Sequence, residues 1–341
     1  MVRLKKGPSR TISIEDVARL AGVSITTVSR VINKFPSVTE KNRIKVLDAI
    51  KQLKFQPSVS AQRLATGKSN VVMLVIPHYE GVFYSFYALE LIRGIGTMCS
   101  VFKLDLLLHL ADGTTRINPS GAGGIIFADI IANRQQLEEA LTSHTPCIVI
   151  NNYVSDLEVS SISIDNTGGA EKAVDYLVSL GHRKIAHIAG DTITQAATQR
   201  LEGYKNALAK NKIPINENYI FKTDYSRGQA RSAAEKLFNM PDPPTAVFVA
   251  SDSMALEVMA VGKELGKDIP NDLSIIGFDD NPSGLYGPVA LTTVRQPLIK
   301  MAEESVKELY ALMNQEKRQR IKRIVLPTEL VIRESCRSIS S

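Results

Sequence analysis

Two sets of residues have the types and spacing for molecular recognition. The first is compact: Ser24, Thr26, Thr27, Ser29 and Arg30 fall on one face of a helical segment, with Val23 and Val28 on the other. A helix is about as wide as the DNA major groove, so hydroxyls and a guanidinium near its N-terminus can reach base edges. The second set is dispersed over four loops, PHYEGVFYSF at 77–86, Asn151-Asn152-Tyr153, SDSMA at 251–255 and GFDDNPSG at 277–284, three of which directly follow apolar runs. In a cleft, such carboxylates and aromatic rings converge on a ligand, the former bonding hydroxyls and the latter stacking on sugar or base faces.

Catalytic patterns fail on inspection. Gly67-Lys68-Ser69 resembles the end of a phosphate loop, but Gln62 stands where that loop needs glycine. Gly121–Gly124 precedes a strand-like run instead of following one, and Ile126 occupies the position of the third glycine of a dinucleotide fingerprint. The five histidines, at 78, 109, 144, 182 and 187, form no HExxH motif and no pairing with cysteine, and there is no G-x-S-x-G elbow. Neither an enzyme nor a metal or cofactor site is expected.

Charge separates the two sets. Residues 1–68 hold 14 of the 41 Lys and Arg but only 4 of the 35 Asp and Glu, so the chain is strongly basic at one end and slightly acidic elsewhere. Clustered positive charge is the footprint of phosphate binding. The longest apolar runs are far shorter than a bilayer span, and the basic N-terminus lacks a following apolar stretch, so a cytoplasmic, soluble protein is expected. Cys99, Cys147 and Cys336 are scattered without CxxC spacing and read as reduced packing residues.

The elements that must position these residues follow from periodicity. Helical spacing from Ile12 to Ile32, broken at Ala21-Gly22-Val23, and again from Thr39 to Leu53 predicts three short helices, capped by Ser13 with Asp16, by Ser24 and by Thr39. After Lys68 short β-branched runs alternate with amphipathic stretches, the mark of parallel βαβ units. Strands are expected near 71–76, 105–109, 124–128, 147–151, 161–164, 184–189, 245–250 and 274–278, with a short one near 219–222 and a last one in KRIVLPTELVIRESC; the clearest helix spans 169–180. So many strands exceed one ordinary sheet, and two doubly wound lobes with a ligand cleft between them are the natural partition.

From Ile14 to Asn33, and on through PSVTEKNRIKVLDAIKQLKFQPSVSAQRLATGKSN, the chain resembles the LacI/GalR family of transcription regulators. That resemblance covers the whole chain. It implies a small all-α helix-turn-helix head and an α/β sensor of two parallel-sheet lobes like a periplasmic binding protein. It also implies that Ile25, Thr26 and Arg30 read bases while Ser24, Ser29, Asn33 and Thr39 hold phosphates, with Thr27 on the same face. A hinge helix would contain Ala61 and Leu64, the leucine wedging into the minor groove at the centre of the operator. In the sensor, Arg200, Asp279, Asn151, Ser251 and Gln296 match effector-pocket positions and Tyr225 a covering aromatic; with Tyr79, Phe83, Tyr84 and Tyr153 nearby, a carbohydrate is favoured over a purine.

The expected domains are a head at 1–56, hinge and linker at 57–69, and a sensor at 70–336, followed by a tail at 337–341. Within the sensor the N-lobe comprises about 70–165 and 297–325, and the C-lobe about 166–293 and 326–336. No heptad tail follows, so a homodimer reading a pseudo-palindromic double-stranded operator is expected. The function read from the sequence is a small-molecule-controlled transcription regulator, most readily a repressor; the alternative is a two-lobed sugar receptor that does not bind DNA. One departure from the family pattern stands out. Between the strands near 105–109 and 124–128 the connection is too short for a crossover helix, so either an irregular loop makes the crossing or a segment is missing there.

Overall fold

In the computed structural model, residues 12–33, 35–55, 69–79, 81–131, 133–314 and 320–339 are described. The expected hinge helix, with Ala61 and Leu64, lies outside them. The chain divides into compact units at 1–69 and 70–341.

The first unit contains helices α1 (Ile14–Ala21), α2 (Ile25–Ile32) and α3 (Glu40–Leu53). The Ser13 backbone N–H donates to the Asp16 carboxylate at the start of α1, and the Ser24 hydroxyl accepts the Thr27 N–H at the start of α2. Thr39 occupies the corresponding position before α3, but its side chain makes no capping bond, contrary to expectation; its carbonyl accepts the Asn42 and Arg43 N–H groups instead. Helices of 8 residues are marginal alone. They are held by packing, with Val17, Val28 and Val46 wholly buried at the meeting point of the three. Gly22 makes the tight turn between α1 and α2 in the left-handed region, at φ 65°.

The second unit holds two six-stranded sheets. The first contains β1 (Val71–Pro77), β2 (Asp105–Ala111), β3 (Gly124–Ala128), β4 (Cys147–Ile150), β5 (Ser160–Ile164) and β11 (Arg323–Leu326), in the order β11-β5-β4-β3-β1-β2, all parallel. The second contains β6 (Ile185–Ala189), β7 (Ile220–Lys222), β8 (Ala246–Val249), β9 (Ser274–Asp279), β10 (Thr292–Arg295) and β12 (Glu329–Val331), in the order β12-β10-β9-β8-β6-β7. Only β12 runs antiparallel, against β10. Helices α4 (Phe86–Phe102), α5 (Arg134–Thr142) and α10 (Leu298–Met313) flank the first sheet, and α6 (Asn166–Ser179), α7 (Gln195–Lys210), α8 (Arg227–Phe238) and α9 (Asp252–Glu264) the second. Central strands are buried on both faces, which is why they read as unbroken apolar runs.

Two expectations are corrected, and one open alternative is decided. The last strand is two: β11 joins one sheet and β12 the other, because Pro327 has no N–H to continue a ladder and Thr328 turns the chain, its hydroxyl donating to the Asp165 carbonyl. Strand β10 was not anticipated, its four residues being too few for a periodic signal. And the crossing from β2 to β3, which straddles β1, is made by a loop with only a 3-10 turn at Pro119–Gly121. The Asp112 carboxylate ties that loop by accepting the Thr114 and Thr115 N–H groups at 2.8 and 2.7 Å. Ile117 and Ala122 pack under it on Ile125, Phe127 and Leu137.

Chain passes between the lobes three times, from β5 into α6, from β10 into α10 and from β11 into β12. These crossings are knitted together. The Asp165 N–H donates to the Leu326 carbonyl at 2.9 Å, and Lys172 Nζ donates to the Thr328 carbonyl at 2.8 Å. A single apolar cluster runs on from Ile162 and Ile164 to Phe248, Phe278 and Val294.

Candidate functional site

On the head, the outer face of α2 presents Ile25, Thr26 and Arg30, all exposed. Arg30 makes no ion pair among the described residues. Ser24 and Thr27 are bonded to one another through their hydroxyls at 2.9 Å, and the Asn33 amide donates to the Ser29 carbonyl at 3.0 Å. The helix thus holds its flanking polar groups still while leaving an apolar knob and a guanidinium free at its surface. Thr39 is exposed at the entry to α3.

In the sensor, Arg200 on α7 is fixed from three sides. Its Nε donates to Asn166 Oδ1 at 2.9 Å, its Nη1 donates to the Ala250 carbonyl at 2.6 Å, and its guanidinium lies 3.8 Å over the Phe278 ring. Asp279, at the end of β9, accepts a bond from the Gln296 amide. Burial pushes the Asp279 carboxyl up to about 6 against the pull of the Arg200 charge and the Gln296 bond. Behind it, buried Asp252 accepts the Thr293 hydroxyl at 2.6 Å and the Asn281 N–H at 2.7 Å. Burial first, and then the neighbouring Asp279 charge, raise its carboxyl too. The adjacent Asp280 is different: burial would raise it, but Arg333 and Arg295 hold it below the usual range.

Across from these, Asn151 Nδ2 donates to Asp129 Oδ1 at 2.8 Å. Burial pushes Asp129 up to about 6, opposed by Tyr87, Asn151 and the charge of Arg200. The Tyr87 hydroxyl, beside Asp129, is raised well above its ordinary value by burial and then by that carboxylate. Tyr225 packs its ring directly on Gly190, where a Cβ would come within 2.0 Å of it, and it faces the charges of Arg200, Asp279 and Asp129. The two lobes also clasp directly, since the Gln195 amide both accepts the Tyr153 N–H and donates to the Tyr153 carbonyl, at 3.0 and 2.9 Å.

Asp129, Asn151, Tyr225, Asp279 and Asp280 all have positive φ. Non-glycine residues held there cost of order 1–3 kcal/mol each, with Asn and Asp at the mild end, and such strain gathers at binding sites.

Of the residues singled out from the sequence, Arg200, Asp279, Gln296, Asn151 and Tyr225 come together around one cleft. Ser251 stands at the start of α9, its hydroxyl accepting the Met254 N–H. Tyr79 is half-buried near Asp129 and bonded to Ser85, while Phe83 is half exposed and Tyr84, at 92% exposure, stands clear of the protein. Asp129, Tyr87, Asn166, Asp252 and Phe278 were missed. Asp129 carried a usable signal, being the first polar residue after the buried run Gly124–Ala128, the same sign that marked Asn151 and Asp279.

Comparison with known proteins matches both parts of the chain to known families. Residues 13–58 match the family described as bacterial regulatory proteins, lacI family, and residues 174–336 match the periplasmic binding protein-like domain. Catabolite control protein A of Priestia megaterium is 34% identical over 89% of this chain and 93% of its own. The probable HTH-type transcriptional repressor ExuR of Bacillus subtilis is 32% identical over 97% of this chain and its whole length. Among solved structures, a Lac repressor dimer bound to operator and the anti-inducer ONPF is similar with a TM-score of 0.82 at 26% identity, over 96% of this chain and 99% of that one. The complex of the transcriptional regulator CelR with cellobiose gives 0.71 at 28% identity, over 95% and 99%.

Proposed function

The chain belongs to the LacI family of bacterial regulatory proteins and is a DNA-binding transcription regulator, and from that premise we propose that it is a cytoplasmic homodimeric repressor governed by a carbohydrate. Its hold on a pseudo-palindromic operator depends on a sugar bound between the two sensor lobes. The observation that carries this reading is the placement of Arg200 and Asp279 at one cleft, each oriented by a buried amide, Asn166 for the first and Gln296 for the second. A guanidinium and a carboxylate so fixed bond vicinal hydroxyls without further ordering of the protein. Helix α2 with its flanking residues, and Thr39 at the entry to α3, supply the DNA contacts, Arg30 to a base and Ser24, Ser29, Asn33 and Thr39 to phosphates. Similarity to a regulator crystallised with cellobiose supports a saccharide as the class of effector.

The test is a thermal-shift screen of the full-length protein against sugars, sugar phosphates and nucleobases, followed by gel-shift titration of a pseudo-palindromic duplex with and without each hit. A saccharide that raises the melting temperature and also changes DNA affinity is the expected result. Stabilisation by nucleobases alone would overturn the carbohydrate reading, because the ligand acts only through its difference in affinity for the two states.

A further inference from the structure

The chemistry still on offer in the cleft is lopsided. Asn151 and Gln296 are each only 7% exposed, and the side-chain oxygen of each has no hydrogen-bond partner. Their amide nitrogens are already locked onto Asp129 and Asp279. Turning either amide over would set a carbonyl oxygen against a carboxylate, so the orientation is dictated by charge and each oxygen is left buried without a partner. The two carboxylates and the two unpartnered amide oxygens make the site rich in acceptors. Against them, among the described residues brought together here, stands one cation, Arg200, with two of its three nitrogens already engaged, and the Tyr87 hydroxyl lies beside the Asp129 carboxylate. Asp252 behind Asp279 is closed off by Thr293 and Asn281.

Resting on the reading of this cleft as the effector site, we propose that it selects ligands by charge: it takes a neutral or amino sugar rich in hydroxyl donors and rejects uronates and sugar phosphates, with Asp129 the specificity-determining carboxylate. A hydroxyl or ammonium donates to every free oxygen there. A phosphate brings between one and two negative charges and only acceptor oxygens, and the single guanidinium cannot compensate it beside two carboxylates. Asp129 tips the balance because it lies opposite Asp279, on the other lobe, so that the ligand is held between two like charges.

The experiment is calorimetric titration of the full-length protein at pH 7.5 with glucose, galactose, mannose and cellobiose, each beside its amino, uronate and phosphate counterparts. Whichever frame binds is expected to bind in its neutral or amino form at least tenfold more tightly than as the uronate or phosphate. In Asp129→Asn that ratio should fall several-fold, since asparagine keeps the shape and tolerates the backbone φ of 62° while removing the charge. A uronate or phosphate that binds more tightly than its neutral counterpart, or an unaltered ratio in Asp129→Asn, overturns charge selection and leaves the carbohydrate reading standing. Failure of every frame to bind overturns both. If Asp129→Asn does not fold, the ratio measured on the unsubstituted protein decides alone.

Discussion

A guanidinium with Nε and Nη1 bonded inside the protein has a single edge left for a ligand, and this limits what Arg200 contributes. On the proposed reading Arg200 gives direction, and the discrimination between hydroxyl patterns falls to the carboxylates. Asp279→Ala should therefore cost a bound sugar about 1.5–3 kcal/mol, the range for bonds to charged groups, or roughly ten- to hundredfold in affinity. DNA affinity without ligand should stay near that of the unsubstituted protein. Calorimetry beside a melting curve separates this from a structural role, in which stability falls and ligand affinity does not. Asp129 and Asp279 also predict opposite responses to pH. Both are raised to about 6, above the roughly 3.9 of an unfolded aspartate, so the folded state takes up protons first. Stability of the free sensor should rise as pH falls from 7 through 6, because burial of two charges is relieved. Sugar affinity should fall over the same interval, because the ligand donates to the ionised form. Parallel changes in the two measurements would contradict the assignment. On the head, Arg30→Ala should relax base preference at one half-site position by about 1–3 kcal/mol in a binding-site selection, the loss of one bidentate contact. Legibility at this scale followed chemistry: Arg200 and Asp279 were readable by resemblance and position, while Asp129 matters through partners that only folding brings near, Asn151 and Tyr87.

At the scale of elements, the loop from β2 to β3 shows how a parallel connection is made without a helix. A crossover helix ordinarily shields its sheet face; here Ile117 and Ala122 take over that duty, and Asp112 satisfies the backbone that a helix would have satisfied internally. Ile117→Ala should lower stability by about 2 kcal/mol, the lower end for a buried isoleucine because a loop can settle into the gap, and shift the urea midpoint downward. A midpoint unchanged within error would mean that the loop covers nothing. The long helices and central strands were legible because their periodicity extends over many residues. The late strands β10 and β12 were not: they have four and three residues, and their places are decided by pairing with β9 and with each other. Pro327, between β11 and β12, was the overlooked sign that one apolar run serves two sheets.

For the molecule as a whole, the three crossings are tied by the bonds at Asp165, Leu326 and Thr328, while a separate pair of bonds between Tyr153 and Gln195 joins the two lobes. On the function proposed above, a ligand bound between the lobes would bias their relative rotation.

The same connectivity sets a timetable for synthesis. A ribosome delivers β1 to β5 early, yet β5 stays without its outer partner until residues 323–326 emerge as β11, after every strand of the second sheet but β12. Through that interval the nascent sensor carries β5 as an open strand, the kind of surface on which chains stick to one another. The head, whose core is complete by Phe55, has no such wait. A stop codon placed at 321 should accordingly yield a chain that is recovered in the pellet on centrifugation, while a fragment ending at 56 stays in the supernatant. Soluble, monodisperse 1–320 would show that β5 does not need its partner.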